Sequence, residues 1–403
     1  MIKHDKSIAG VRRTNRLLSR RTLLRLSLTS AVGSTIADSP LAHGFCTESL
    51  QPGESFAEGS LGVNIAGAEF GTNAESFCNQ SPGRCQHEYT YGSEATVRYF
   101  CENGLRLIRV PFRWERIQPR LRGPLQQAEL HRLRTFVSWV RAAGGQVILD
   151  VHNYGRYRMS VDGTACDCLI DCPDRLGHIR VTRGDLGDLW RRLATAFRNN
   201  DSIAGYGIMN EPNGLLPGGW KKISNHVVSC IRKVDRRTPV VVSGDEWANA
   251  TEFTRINGED AWVNDPTGRT VYEAHCYFDH DCSGKYGLSY EEEVRRDAST
   301  VRRGRKLVAP FIDWCQRNHV MGFIGEVGVP STPGWLSVLQ EFMSTMTANR
   351  MPVCYWAAGE WWGKYPLSIQ PRAGHSSGQQ AVMSRFSRRS EIRERADSGG
   401  KAR

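Results

Sequence analysis

The sequence predicts an α/β protein built as a single eight-stranded parallel barrel, the (β/α)8 or TIM-barrel architecture. Three observations point to it. Eight short apolar segments with β-strand character recur through residues 61–362. Each is separated from the next by enough chain for a crossover helix, which parallel neighbours require. Their polar residues gather at the C-terminal ends, where parallel barrels carry functional groups.

The segments are 61–70 (LGVNIAGAEF), 105–112 (LRLIRVPF), 146–154 (QVILDVHNY), 203–212 (IAGYGIMNEP), 239–245 (PVVVSGD), 270–278 (TVYEAHCYF), 320–329 (VMGFIGEVGV) and 352–362 (PVCYWAAGEWW). The fourth is the most telling. Ile203, Ala204, Ile208 and Met209 make it mostly apolar, as expected of a strand covered on both faces. Asn210 and Glu211 then arrive where Pro212 ends the ladder by removing a backbone donor. Between strands, 125–143 places Leu130, Leu133, Val137 and Val140 on one helical face. Segment 186–197 does so with Leu189, Leu193 and Phe197, and 306–318 with Leu307, Phe311 and Trp314. A doubly wound open sheet is the competing architecture, but no Gly-rich phosphate fingerprint follows the first strand.

Three regions divide the chain. Residues 1–45 read as an export leader: Ser19-Arg20-Arg21-Thr22-Leu23-Leu24-Arg25 resembles a bacterial twin-arginine signal, and the apolar run 26–37 after it is too short to span a membrane. Thr35, Ala37 and Ala42 offer cleavage points. Residues 46–371 form the barrel, and 372–403, polar and basic, read as a disordered tail. Much of the formal net charge of +11 sits at the two ends, and no nucleic-acid-binding signature accompanies it. The expectation is therefore no nucleic-acid partner, no stable membrane insertion, and an exported monomer. Twelve cysteines suit an oxidising compartment. Cys78 with Cys85, and the cluster Cys166, Cys168 and Cys172, are expected to staple loops as disulfides. The cluster has no His at ligand spacing, so no metal is assigned to it.

At the strand ends stand Arg109, His152 and Asn153, Asn210 and Glu211, His275 and Tyr277, Glu326, and Trp356 followed by Trp361 and Trp362. His275 and Tyr277 share a face because residues two apart on a strand point the same way. Any one of these has an ordinary packing role open to it. Together they bring two glutamates, with donors and aromatic faces, to one barrel mouth.

The segments IRVPFRWERIQP, ILDVHNYGRY, GYGIMNEP, YEAHCYFD, GEVG and YWAAGEWWGKYPLSIQP resemble, in order, glycoside hydrolase family 5 and its cellulase-type endo-β-1,4-glucanases. The resemblance runs from Leu61 to Pro371. It implies a retaining glycosidase acting on β-glucan without cofactor or metal, with Glu211 as acid/base and Glu326 as nucleophile. Retention needs the two carboxyls about 5–5.5 Å apart. By the same resemblance Arg109 and Tyr277 support Glu326, and Asn210 meets the sugar 2-OH. His152, His275 and Asn153 serve substrate and carboxyls, and Trp356, Trp361 and Trp362 give faces for pyranose rings. Glu360 stands where relatives often have Pro, and the Cys-rich excursion 165–173 follows the third strand. Both bear on which β-glycan is cut: mannan, mixed-linkage glucan and exopolysaccharide stay open beside cellulose. An idle polysaccharide-binding barrel is the reading from another class, and a metal or redox protein built on the Cys cluster a third; an intact glutamate pair speaks against the idle barrel.

Overall fold

A computed structural model describes residues 59–372 and 375–387. The leader and its arginine pair, Cys46 and residues 388–403 lie outside the described residues. Eight parallel strands close into a barrel in the order β1, β10, β9, β8, β7, β6, β3, β2. They are β1 (Leu61–Ile65), β2 (Leu107–Phe112), β3 (Gln146–Val151), β6 (Ile203–Gly207), β7 (Val240–Ser243), β8 (Thr270–His275), β9 (Met321–Val327) and β10 (Val353–Ala358). Each lies inside a segment expected from the sequence. The strands stop short of the polar residues at several segment ends, leaving Asn210 and Glu211 on the loop beyond β6.

The apolar pattern divides by face. Leu107, Ile148, Ala204, Val241, Val271, Phe323 and Cys354, one from each of seven strands, plug the interior. Outward residues such as Val63, Val110, Tyr206 and Val353 meet the surrounding helices. Helix Gln127–Ala142 buries Leu130, Leu133, Val137 and Val140, the face its spacing requires. Helix Arg183–Phe197 starts at Thr182, whose side chain and that of Asp185 close a reciprocal cap. The expected helix over 306–318 is two pieces, Arg303–Lys306 and Ala309–Arg317, because Pro310 sits at the start of the second, where its missing N–H is harmless.

Two expectations are corrected. The excursion after β3 is an antiparallel hairpin, β4 (Arg156–Val161) with β5 (Thr164–Leu169). Asp162 and Gly163 at its tip both have positive φ (50° and 79°), the geometry of a two-residue hairpin turn. This ladder and the buried Tyr157 hold the excursion, while Cys166, Cys168, Cys172, Cys78, Cys85 and Cys282 are unpaired, as are all described cysteines. The expected disulfides are not seen among the described residues. The tail does not begin at residue 372: residues 378–387 are helical and bury Val382, Met383 and Phe386, an apolar triad at helical spacing within a polar stretch. Among the described residues no helix is long and apolar enough to cross a membrane.

Candidate active site

The site grows from Arg109, fully buried on β2. Its Nη2 lies 3.1 Å from Asp150 on β3, its Nε 3.1 Å from Glu273 on β8, and its Nη1 3.3 Å from Glu326 on β9. Nη1 also donates to Asn64 Oδ1 (2.9 Å) and Nη2 to Asn210 Oδ1 (2.7 Å). Burial opposes the charge on Arg109, but the three carboxylates outweigh it and raise its pKa. Hydrogen bonds run from Nη1 to Asn64 and Glu326 and from Nη2 to Asn210, while Asp150 and Glu273 are charge partners at 3.1 Å; a planar, delocalised guanidinium can serve all five at once.

Glu326 sits above this fork. Its Oε1 accepts from Arg109, and its Oε2 accepts from Tyr277 Oη at 2.7 Å and lies 3.6 Å from His275 Nδ1. Burial, with the neighbouring Glu211 adding to it, raises the pKa of the Glu326 carboxyl overall, although His275 and Arg109 pull it down. Glu211 is the more open of the two, its side chain 15% exposed against 5% for Glu326. His275 Nδ1 meets Glu211 Oε1 at 2.7 Å, and its Nε2 lies 3.3 Å from Glu273 Oε1. Burial disfavours the imidazolium, yet Glu326, Glu211 and Glu273 around it raise its pKa to about 10. The ring therefore carries a proton on both nitrogens at neutral pH and donates to both sides. Gly325 is dictated by this crowding, since a Cβ there would stand 1.7 Å from Glu273 Oε1.

His152 behaves oppositely. Burial lowers its pKa to about 3, so it is neutral. Its Nδ1–H donates to Asp150 Oδ2 (2.8 Å), leaving Nε2 to accept from Asn210 Nδ2 (3.3 Å). Asn210 is thereby oriented from both ends: Arg109 fixes the oxygen and His152 takes one amide hydrogen, leaving the other for a ligand. The indole of Trp356 stacks on the His152 ring (5.4 Å between centroids, 12° between planes).

Seven of the expected residues besides Trp356 thus form one connected network: Glu211, Glu326, Arg109, Asn210, His275, Tyr277 and His152. Asn153 does not join it, and its expected substrate role is corrected. Its Nδ2 donates to both carboxylate oxygens of Glu115 (2.9 and 3.0 Å) and its Oδ1 accepts from the Trp114 N–H, so the side chain is used up inside the fold. Trp362 packs edge-on against Trp356 and stacks on Tyr365, while Trp361 is 39% exposed. Glu360 faces helix Glu94–Glu102, accepting from Ser93 and Thr96 hydroxyls at 2.6 Å each. Asp150, Glu273 and Asn64 escaped the sequence reading. The signal for the first two was period two: each precedes a site histidine, His152 or His275, by two residues. Glu69, after β1, is another buried carboxyl: its Oε2 accepts from the Gly67 N–H (2.7 Å) and its Oε1 has no hydrogen-bond partner among the described residues. Burial pushes it up to about 8.

Among the described residues, Glu211, His275 and Glu326 form a group able to hold a metal, their ligand atoms within 4.8 Å of one another. One oxygen of each carboxyl lies within 4.8 Å of the other, a proximity compatible with a double displacement, which needs the carboxyls about 5–5.5 Å apart.

A parallel barrel presenting two such carboxyls at its mouth defines a glycoside hydrolase. Residues 63–361 match the family described as Cellulase (glycosyl hydrolase family 5). Endo-beta-1,4-glucanase B of Aspergillus niger is 27% identical over 318 residues, covering 78% of this chain and 86% of that one. An endoglucanase of Pseudomonas stutzeri solved with cellobiose is 33% identical, with a TM-score of 0.71 over 82% of this chain and 92% of its own. An endo-beta-1,4-glucanase of Xanthomonas axonopodis pv. citri is 30% identical, with a TM-score of 0.70 over 82% and 98%. This chain belongs to glycosyl hydrolase family 5, the cellulase family.

Proposed function

We propose that the protein is a retaining endo-β-1,4-glucanase in which Glu326 is the nucleophile and Glu211 the acid/base. The observation that carries the assignment of roles is the asymmetry of the pair. Glu326 is deep and faces donors from Arg109, Tyr277 and His275, which favour its charged form. Glu211 is more open and, among the described residues, its carboxylate accepts one hydrogen bond, from His275.

In the first step Glu326 attacks the anomeric carbon while Glu211 gives its proton to the departing glycosidic oxygen. A water then attacks the glycosyl–Glu326 ester, passing its proton to Glu211. Asn210, with one amide hydrogen uncommitted, is placed to donate to the 2-OH as positive charge builds on the ring. Trp356 offers a flat face to the sugar, and exposed Trp361 is a candidate for a more distant ring. The relatives whose names specify β-1,4-glucan, and the one solved with cellobiose, support cellulose-type chains as substrate. Export rests on Ser19–Arg25, and action as a monomer is part of the same reading.

Azide rescue tests the roles. Glu326→Ala is expected to be inactive and to yield an α-glycosyl azide. Glu211→Ala is expected to keep activity on substrates with good leaving groups and to yield the β-azide. The same anomer from both variants refutes the assignment.

A further inference from the structure

Glu211 holds a backbone conformation that side-chain-bearing residues avoid, with φ at 42°, and Pro212 follows it. Such a residue persists only where its surroundings over-determine it. Here every carbonyl from 210 to 213 has a donor. Asn210 O accepts from the Tyr154 N–H (3.0 Å) and Pro212 O from the Trp247 N–H (3.3 Å). Glu211 O accepts from Asn213 Nδ2 (2.9 Å). Asn213 is held in turn by Arg156, the first residue of β4, whose Nη2 donates to Asn213 Oδ1 (2.6 Å) and approaches its backbone O at 3.3 Å.

Arg156 is well seated for this. Its Nε donates to Tyr154 O (3.2 Å), and none of the ion pairs among the described residues uses it. The next residue, Tyr157, is fully buried and donates to the carbonyls of Gln118 and Pro119 (2.9 and 2.8 Å). Arg158 N–H donates to Glu115 Oε1 at 2.7 Å. The base of the hairpin is therefore pinned to the barrel, and its guanidinium reaches across to the loop beyond β6.

We propose that the β4–β5 hairpin braces the acid/base: Arg156 and Asn213 are positioning residues that hold Glu211 in proton-transfer geometry. The proposal rests on Glu211 being the acid/base. A long guanidinium pulling on the Asn213 amide orients that amide so that its NH2 faces the Glu211 carbonyl. Without Arg156 the amide is free to rotate, and the strained residue loses the contact that sets its direction.

In the glycosylation step, which kcat/KM reports, a misaligned proton donor matters only when the leaving group needs a proton. Arg156→Ala and Asn213→Ala are therefore compared on cello-oligosaccharides and on dinitrophenyl cellobioside, whose leaving group departs unaided. Well-placed acid catalysis is worth roughly 10²–10⁴-fold. Each variant is expected to lose about ten-fold or more in kcat/KM on the oligosaccharide and less than about two-fold in kcat/KM on the aryl glycoside. Arg156→Lys, which can still donate to Asn213 Oδ1, is expected to recover part of the loss. The losses of the two single variants are expected not to add fully in the double variant, because the Arg156–Asn213 side-chain contact is shared by both. Equal losses on both substrates, or a change confined to thermal stability, overturn the proposal. Glu211→Ala is run alongside. If it lacks leaving-group dependence the acid/base reading fails first; if it shows the dependence and the brace variants do not, only the brace is wrong.

Discussion

Replacing Glu69 with Gln is expected to stabilise the protein in a way that grows with pH. The buried carboxyl is pushed up to about 8 from an ordinary value of 4.5. Below pH 4.5 the folded and unfolded chains both keep the proton, and the group has no differential effect. Between 4.5 and 8 the unfolded chain ionises while the folded one does not, so unfolding releases a proton and stability falls as pH rises. Above 8 both are ionised and the full cost of a buried, half-satisfied carboxylate is borne. The gap between the two values, at 1.36 kcal/mol per pH unit, corresponds to about 5 kcal/mol. Glutamine keeps the acceptor for the Gly67 N–H and presents NH2 where the acid presents OH, but never ionises. Its advantage is therefore expected to be near zero at pH 4.5, about 3 kcal/mol near pH 6.5 and about 5 kcal/mol above pH 8. Denaturant unfolding of both proteins at several pH values measures this, as does thermal unfolding at roughly 2 °C per kcal/mol. Parallel stability curves for the two proteins from pH 4.5 to 8.5 would refute the reasoning.

His275 lowers the pKa of Glu326, so His275→Asn is expected to move the acidic limb of the kcat/KM profile to higher pH; an unmoved limb means the imidazolium does not act on the nucleophile. Because the described cysteines are unpaired, a thiol reductant is expected to leave the unfolding temperature unchanged, whereas a drop of several degrees would reveal a bridge.

The sequence by itself determined the barrel and most of its mouth. Strands buried on both faces must be continuously apolar, and a residue such as Glu211 or Glu326 interrupting that run at its end has few places to be but the rim. Period two also placed His275 and Tyr277 together. Asp162-Gly163 is the local signal of the hairpin turn, in the same stretch as three cysteines whose crowding suggests bridges. What tertiary structure decided is which polar neighbour each side chain reaches. Asn153 follows His152 by one residue, and that half-turn of the strand sends it to Glu115 and away from the mouth. Arg109 depends on Asp150, Glu273 and Asn64 from strands far apart in the chain, and the left-handed turn at Glu211 depends on Arg156 across a hairpin. Periodicity fixes the face a residue points to. The charge state of a carboxyl or an imidazole is set by which groups close around it in space, and only the closed barrel brings those groups within a few ångströms.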